Sequence, residues 1–292
     1  MGNLATMDSG FLLQKLGKPV FILVLLSMAF LIFRPVTAKS YIYRTFREIS
    51  KIQMIWQTRG WNEIQNPHFV IRYRPQDRDI VPMVLDTAEK SFVPVSRHLD
   101  YRSPGRTLIV IYPSKESLGR SFGWEADESA MGVYWAGVIR VLSPSAWIEE
   151  QDIEEVRRTF ESDGPMAHEL SHLMVDYITA GNYTRWFTEG VAQYVEAGVT
   201  GYRMEPREVS HPDELYPLAV MDREFDNLAD QNMAYYESFQ AVNYLVNTYG
   251  EESLKEILAH LGRGYSMDKS FNTVLGISMD GFENDLKNWV VE

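Results

Sequence analysis

The chain has 292 residues, 45% of them apolar, enough for one large domain or two small ones with a full core. A net charge of −12 argues against a nucleic-acid partner, because phosphate neutralisation needs a basic face. The absence of cysteine excludes disulfides, thiolate nucleophiles and Cys-ligated zinc, so any metal must sit on His, Asp or Glu.

After a tail over 1–17, "KPVFILVLLSMAFLIFRPVTA" is apolar from Pro19 to Phe33. That run is shorter than the roughly 20 residues of a spanning helix, but Val36 to Ala38 extend it if Arg34 snorkels. Two readings stand for 18–38: an uncleaved single-pass transmembrane anchor, or a signal peptide cut after "VTA". The anchor is favoured, because Arg34 and Pro35 sit badly just before a cleavage site. Lys15 and Lys18 precede the run and Arg34, Lys39, Arg44 and Arg47 follow it, so charge bias gives no orientation. No other stretch is long enough to span.

Over 39–62, Ile42, Phe46, Ile49 and Trp56 fall near helical spacing, which predicts an amphipathic juxtamembrane helix. "HFVIRY" alternates as a strand does. "DIVPMVLDTAEKSFVPVSRHL" reads as a helix with Pro82 in its first turn. "TLIVIYP" is continuously apolar, as a buried central strand is, and "GVYWAGVIRVLSP" reads as strands broken at Gly137. From Trp147 the pattern turns helical: an acidic surface helix in "IEEQDIEEVRRTF", a helix begun by Pro165 and ended near Gly181, and a third in "RWFTEGVAQYVEAG". A loop over 202–217 then precedes helices in "AYYESFQAVNYLVNTYG", "ESLKEILAHL" and "GFENDLKNWV".

The chemistry-bearing stretch is "AHELSHLMVDY". His168 and His172, four apart, share one helix face one turn apart and can reach one metal. Glu169, directly after the first His, can lean toward a metal-bound water and take its proton, which is the physical content of HExxH. Apolar residues on both sides of the histidines imply burial, and buried histidines need partners. A catalytic zinc needs a third protein ligand and an open position. The Gly and His that would mark one zinc-protease class are replaced by Val175 and Ile178, and His68, His98, His211 and His260 lie in no matching context. Glu189 in "WFTEGVAQY" opens the next helix, which folds back beside the histidines, with Gly190 and Ala192 small enough to let the two helices approach. Glu196 is its rival. Asp176, one turn past His172, is placed either to hydrogen-bond a ligand imidazole or to sit as a solvated carboxylate. Val138 to Leu142 either pairs with an extended substrate or is a plain edge strand.

"HELSH" followed by "WFTEGVAQY" resembles the gluzincin metallopeptidases, with their HExxH and downstream E-x-x-A, and more narrowly the bacterial peptidase MA-like group. "YYESFQAVNYLVNTYGEESLKEIL" and "LGISMDGFENDLKNW" resemble that group's later helices, and "HFVIRY … TLIVIYPS … MGVYWAGVIRVLSP" its small sheet. The resemblance runs over about residues 60–292, leaving out the N-terminal segments and an acidic insert from Glu149 to Asp163. It implies a zincin-like α+β fold: a catalytic domain over 63–292, with a small mixed sheet lobe and a helix (63–145), then a mainly α-helical lobe (146–292), the active-site helix between them. It further implies one zinc ion on His168, His172 and Glu189, and hydrolysis of a peptide or protein with Glu169 as general base. Other gluzincins supply a Tyr or His that stabilises the transition state from a helix beyond the third ligand, and Tyr235 aligns with that tyrosine better than Tyr236. With the apolar segment, the resemblance places the catalytic domain outside the cytoplasm, on a single-pass anchor or secreted if the segment is cleaved. The rival function is a catalytically silent, membrane-anchored zinc scaffold, against which an intact Glu169 speaks. An intramembrane protease is excluded by a single span and by polar flanks (Asp163, Asp176, Asn182, Arg185).

Overall fold

A computed structural model describes residues 35–123, 130–150, 152–205 and 207–292. The expected anchor over 18–38 therefore lies, up to residue 34, outside the described residues. Among the described residues no helix is long and apolar enough to cross a membrane.

The first helix among the described residues, α1 (Pro35–Gln57), ends sooner than the expected 62. The sheet follows at once with β1 (Asn62–Gln65) and β2 (Phe69–Tyr73). A crossover helix α2 (Val81–His98), with Pro82 in its first turn, leads to β3 (Thr107–Tyr112). Then come the short α3 (Lys115–Arg120), β4 (Gly132–Trp135) and β5 (Val138–Leu142). The strand order is β1-β2-β3-β5-β4. β2, β3 and β5 are mutually parallel, and β1 and β4 run antiparallel on the two edges.

β5 is thus paired on both sides. Val138 to Leu142 is not an edge strand; the edge on that side of the sheet is β4, because the reversal at Ala136 and Gly137, both at positive φ, folds β4 back outside β5. Burial on both faces explains why β3 is apolar from Leu108 onward. Ile109 and Ile111 face the main core with Phe69, Ile71, Ile139 and Val141. Leu108, Val110 and Tyr112 face the other way, where Met54 of α1 and Leu118 of α3 cover them.

The helical lobe begins with α4 (Ile153–Asp163), capped by Asp152, whose side chain accepts from the Glu154 and Glu155 amides. It continues with α5 (Met166–Thr179), α6 (Arg185–Thr200), α7 (Leu218–Glu224), α8 (Gln231–Tyr249), α9 (Glu251–Gly262), α10 (Met267–Leu275) and α11 (Met279–Val291). The result is α+β, a mixed sheet lobe followed by a mainly helical lobe, with α5 packed against α2 and the β4 edge on one side and α6 and α9 on the other. α5 ends at Ala180, which takes the left-handed conformation one residue before the expected Gly181, itself also at positive φ. A Cβ on Gly181 would meet the Tyr43 ring at 2.5 Å, so the reversal between α5 and α6 is pressed directly against α1.

Candidate metal centre

Between α5 and α6 the three residues named from the sequence converge. His168 and His172, one turn apart on α5, turn their Nε2 atoms toward each other at 3.1 Å. Glu189, in the second turn of α6, brings Oε2 to 3.3 Å from His168 Nε2 and 3.4 Å from His172 Nε2. Three ligand atoms with sides of 3.1, 3.3 and 3.4 Å form a nearly equilateral triangle. Tetrahedral coordination with bonds of about 2.0–2.1 Å requires ligand atoms about 3.3–3.4 Å apart, so the donor set fits a zinc ion. It is also the one group of His, Asp or Glu among the described residues able to hold a metal.

The remaining ring atoms are spoken for. With Nε2 free for a metal, His172 Nδ1–H donates to Thr188 Oγ1 at 2.7 Å and His168 Nδ1–H donates to Glu196 Oε2 at 3.0 Å. Such partners fix tautomer and ring orientation. Glu196, the rival ligand, is therefore an orienting residue, because two further turns along α6 carry it past Nε2 to the other side of the His168 ring.

The electrostatics are those of a cation hole. Burial opposes a charge on His168, but the Glu189 and Glu196 carboxylates outweigh it and hold the ring's pKa well above the usual range. Burial pushes the Glu189 pKa up, yet His172, His168 and Arg185 together hold it well below the ordinary carboxylate value. Arg185 was not picked out from the sequence. It lies one turn before Glu189 on α6, and its Nη1 is 2.9 Å from Glu189 Oε1, leaving Oε2 to the metal triangle. The i, i+4 spacing was the available signal.

Glu169 is tied to β4. It is 5% exposed, its Oε2 accepts the Tyr134 amide N–H at 2.5 Å, and burial raises its pKa, against the pull of His168 and His172. The strand reaches it because of Gly132: a Cβ there would lie 2.6 Å from Pro165 Cβ and 2.9 Å from Glu169 Cγ.

Asp176 does not touch an imidazole, nor is it solvated. One turn past His172 its side chain is fully buried and accepts from Tyr43 (2.5 Å), Arg47 (2.8 Å) and Tyr134 (2.6 Å). Gly190 also differs from expectation: its bare Cα faces α8, with Ser238 O 2.1 Å from where a Cβ would be, and not α5.

Of the adjacent Tyr235 and Tyr236 on α8, Tyr235 reaches the site. With His168, Gln193, Glu196 and Phe239 it lines a cavity of about 120 Å³. Its pKa is pushed up to about 12 by burial and by Glu189, so it keeps its proton. Tyr236 is buried elsewhere. A larger cavity of about 450 Å³, lined by Thr184, Asp222, Met267 and Glu283 among others, includes none of the metal-binding residues.

The α+β fold thus carries a His-His-Glu triangle able to hold a metal ion, with a buried glutamate between a helix and a sheet edge. Residues 153–292 match the Peptidase MA superfamily. Those residues form a Peptidase MA superfamily domain, that of a zinc metallopeptidase. The matched range begins at α4, so the acidic helix expected to be an insert lies inside the family domain from Ile153 on. No protein of curated function matches the chain.

Proposed function

We propose that this metallopeptidase holds one zinc ion on His168, His172 and Glu189 and hydrolyses peptide bonds of a peptide or protein substrate, while the segment before α1 anchors it in a membrane as a single-pass protein with the catalytic domain outside the cytoplasm. The observation that carries the catalytic reading is the near-equilateral ligand triangle with Glu169 beside it. Bound zinc supplies Lewis acidity toward the scissile carbonyl and toward water.

The chain's own residues do the rest. Glu169 takes the proton of the attacking water and passes it to the leaving amine; burial, which raises its pKa, suits it to both transfers. Tyr235, protonated beside the cavity at His168, donates to the carbonyl oxygen as negative charge develops. Arg185 keeps Glu189 ionised and in place. The free edge of β4, next to Glu169, offers backbone groups for an extended substrate. A silent scaffold would have no need of a buried carboxylate held at this position. The test is Glu169→Gln, with metal analysis and peptide-library digestion run beside the parent. Turnover should fall about 100- to 10,000-fold with zinc unchanged. Loss of zinc together with activity would assign Glu169 to the ligand set instead.

A further inference from the structure

α1 has two unlike faces. One packs on the catalytic domain through Tyr43, Arg47 and Met54. The other carries Ile42, Phe46, Ile49, Ile52 and Trp56, all exposed, from 46% at Phe46 to 65% at Ile52. At about 100° per residue these five positions form one continuous stripe. A row of large apolar side chains on a surface marks an interaction site.

The stripe ends in an unusual place. Trp56, Arg59, Trp61 and Arg74 line a cavity of about 300 Å³. The Arg59 guanidinium lies 4.5 Å from the Trp56 ring centre and Arg74 lies 4.2 Å from that of Trp61. Among the described residues neither arginine pairs with a carboxylate. From residue 35 to 61 the sequence holds five basic residues and one acidic, in a chain whose net charge is −12. The apolar run Pro19 to Phe33 leads straight into α1.

An apolar stripe, tryptophan at its end and unpaired guanidiniums beside it match the depth profile of a bilayer interface, acyl chains below and phosphates above. We propose that α1 lies in the headgroup region of an anionic phospholipid bilayer. Ile42, Phe46, Ile49, Ile52 and Trp56 enter the apolar phase, and Arg59 and Arg74 take lipid phosphates. This rests in part on the anchor proposed above, and on nothing in the peptidase chemistry.

The chain has no cysteine, so Ile49→Cys in the full-length protein accepts one environment-sensitive fluorophore. The labelled chain is reconstituted into phosphatidylcholine vesicles with and without phosphatidylglycerol. The label should shift to the blue and resist an aqueous quencher in the mixed vesicles, while a label on Ser162→Cys, exposed on α4, stays in water. Each of Arg59→Gln and Arg74→Gln should lower the ratio of shielded to unshielded label about 5-fold, and the pair about 25-fold. A chain that sediments with vesicles while the Ile49 label stays in water overturns the proposal and leaves the anchor standing. A chain that does not sediment overturns both. Shielding that grows with protein-to-lipid ratio puts a second copy on the stripe and overturns it. So does loss of the phosphatidylglycerol preference on adding inorganic phosphate, which would make the arginine pair a soluble-anion site.

Discussion

Arg47 on α1 and Asp176 on the active-site helix form an ion pair of 2.8 Å whose side chains are 6% and 0% exposed. Tyr43 and Tyr134 complete the carboxylate's hydrogen bonding, and the Arg47 guanidinium lies 3.6 Å from the centre of the Tyr177 ring. The carboxylate thus joins three elements, since Tyr134 is also the residue whose amide holds Glu169. A helix outside the matched family range is thereby bolted to the helix that carries the metal ligands.

Removing one partner of such a pair strands the other charge in the interior. Arg47→Ala should lower unfolding free energy by about 3 kcal/mol, read from denaturant titration. An Arg47→Ala protein within about 0.5 kcal/mol of the parent, the range of ordinary surface changes, would show that the pair is not closed in solution.

Metal affinity should separate ligands from orienting residues. His172→Ala and Glu189→Ala should lose stoichiometric zinc. Glu196→Ala should keep the stoichiometry and bind about 10- to 100-fold more weakly, as loss of an orienting partner does. Equal loss of zinc in the Glu189 and Glu196 variants would contradict the geometry.

Tyr235→Phe removes a hydroxyl and keeps the ring. Turnover should fall about 100- to 1,000-fold with zinc content intact. Tyr236→Phe, away from the metal-side cavity, should turn over as the parent does. The reverse pattern would move the role by one residue.

Glu237 on α8 predicts a pH dependence of stability. It is buried, and accepts the Tyr216 amide at 2.9 Å; burial lifts its pKa to about 8 from 4.5. A raised folded-state pKa means that folding favours the protonated acid. Its contribution is therefore fully present below pH 4.5 and is lost as pH rises through 8. Glu237→Gln should match the parent at low pH and exceed it by up to about 5 kcal/mol above pH 8. A parallel pair of stability-versus-pH curves would argue against the raised pKa.

Topology is open to a direct measurement. A C-terminal tag on the full chain should be cut by protease added to intact cells. A tag shielded in whole cells and cut only after lysis would put the domain on the cytoplasmic side.

Much of this was legible because the signals are local. The four-residue spacing of His168 and His172 needs no tertiary knowledge, and "TLIVIY" announces a strand buried on both faces. β1 escaped notice because "NEIQ" is short and polar, an edge strand with little to bury. α3 is a single capped turn and a half, too brief to show a period. The partners of Asp176 were out of reach: Arg47 and Tyr43 lie 129 and 133 residues away, and no spacing rule links them. Thr188 and Glu196 share α6 with Glu189, yet which nitrogen each would meet depends on how α6 is rotated against α5.

The contact of Gly190 with Ser238 O sits one residue from Glu189 and three from Tyr235. Main chain rests on main chain there, so the gap between the third ligand and the tyrosine is a gauge with no rotamers in it. Side chains lining the neighbouring cavity can be exchanged without altering the spacing between Glu189 and Tyr235.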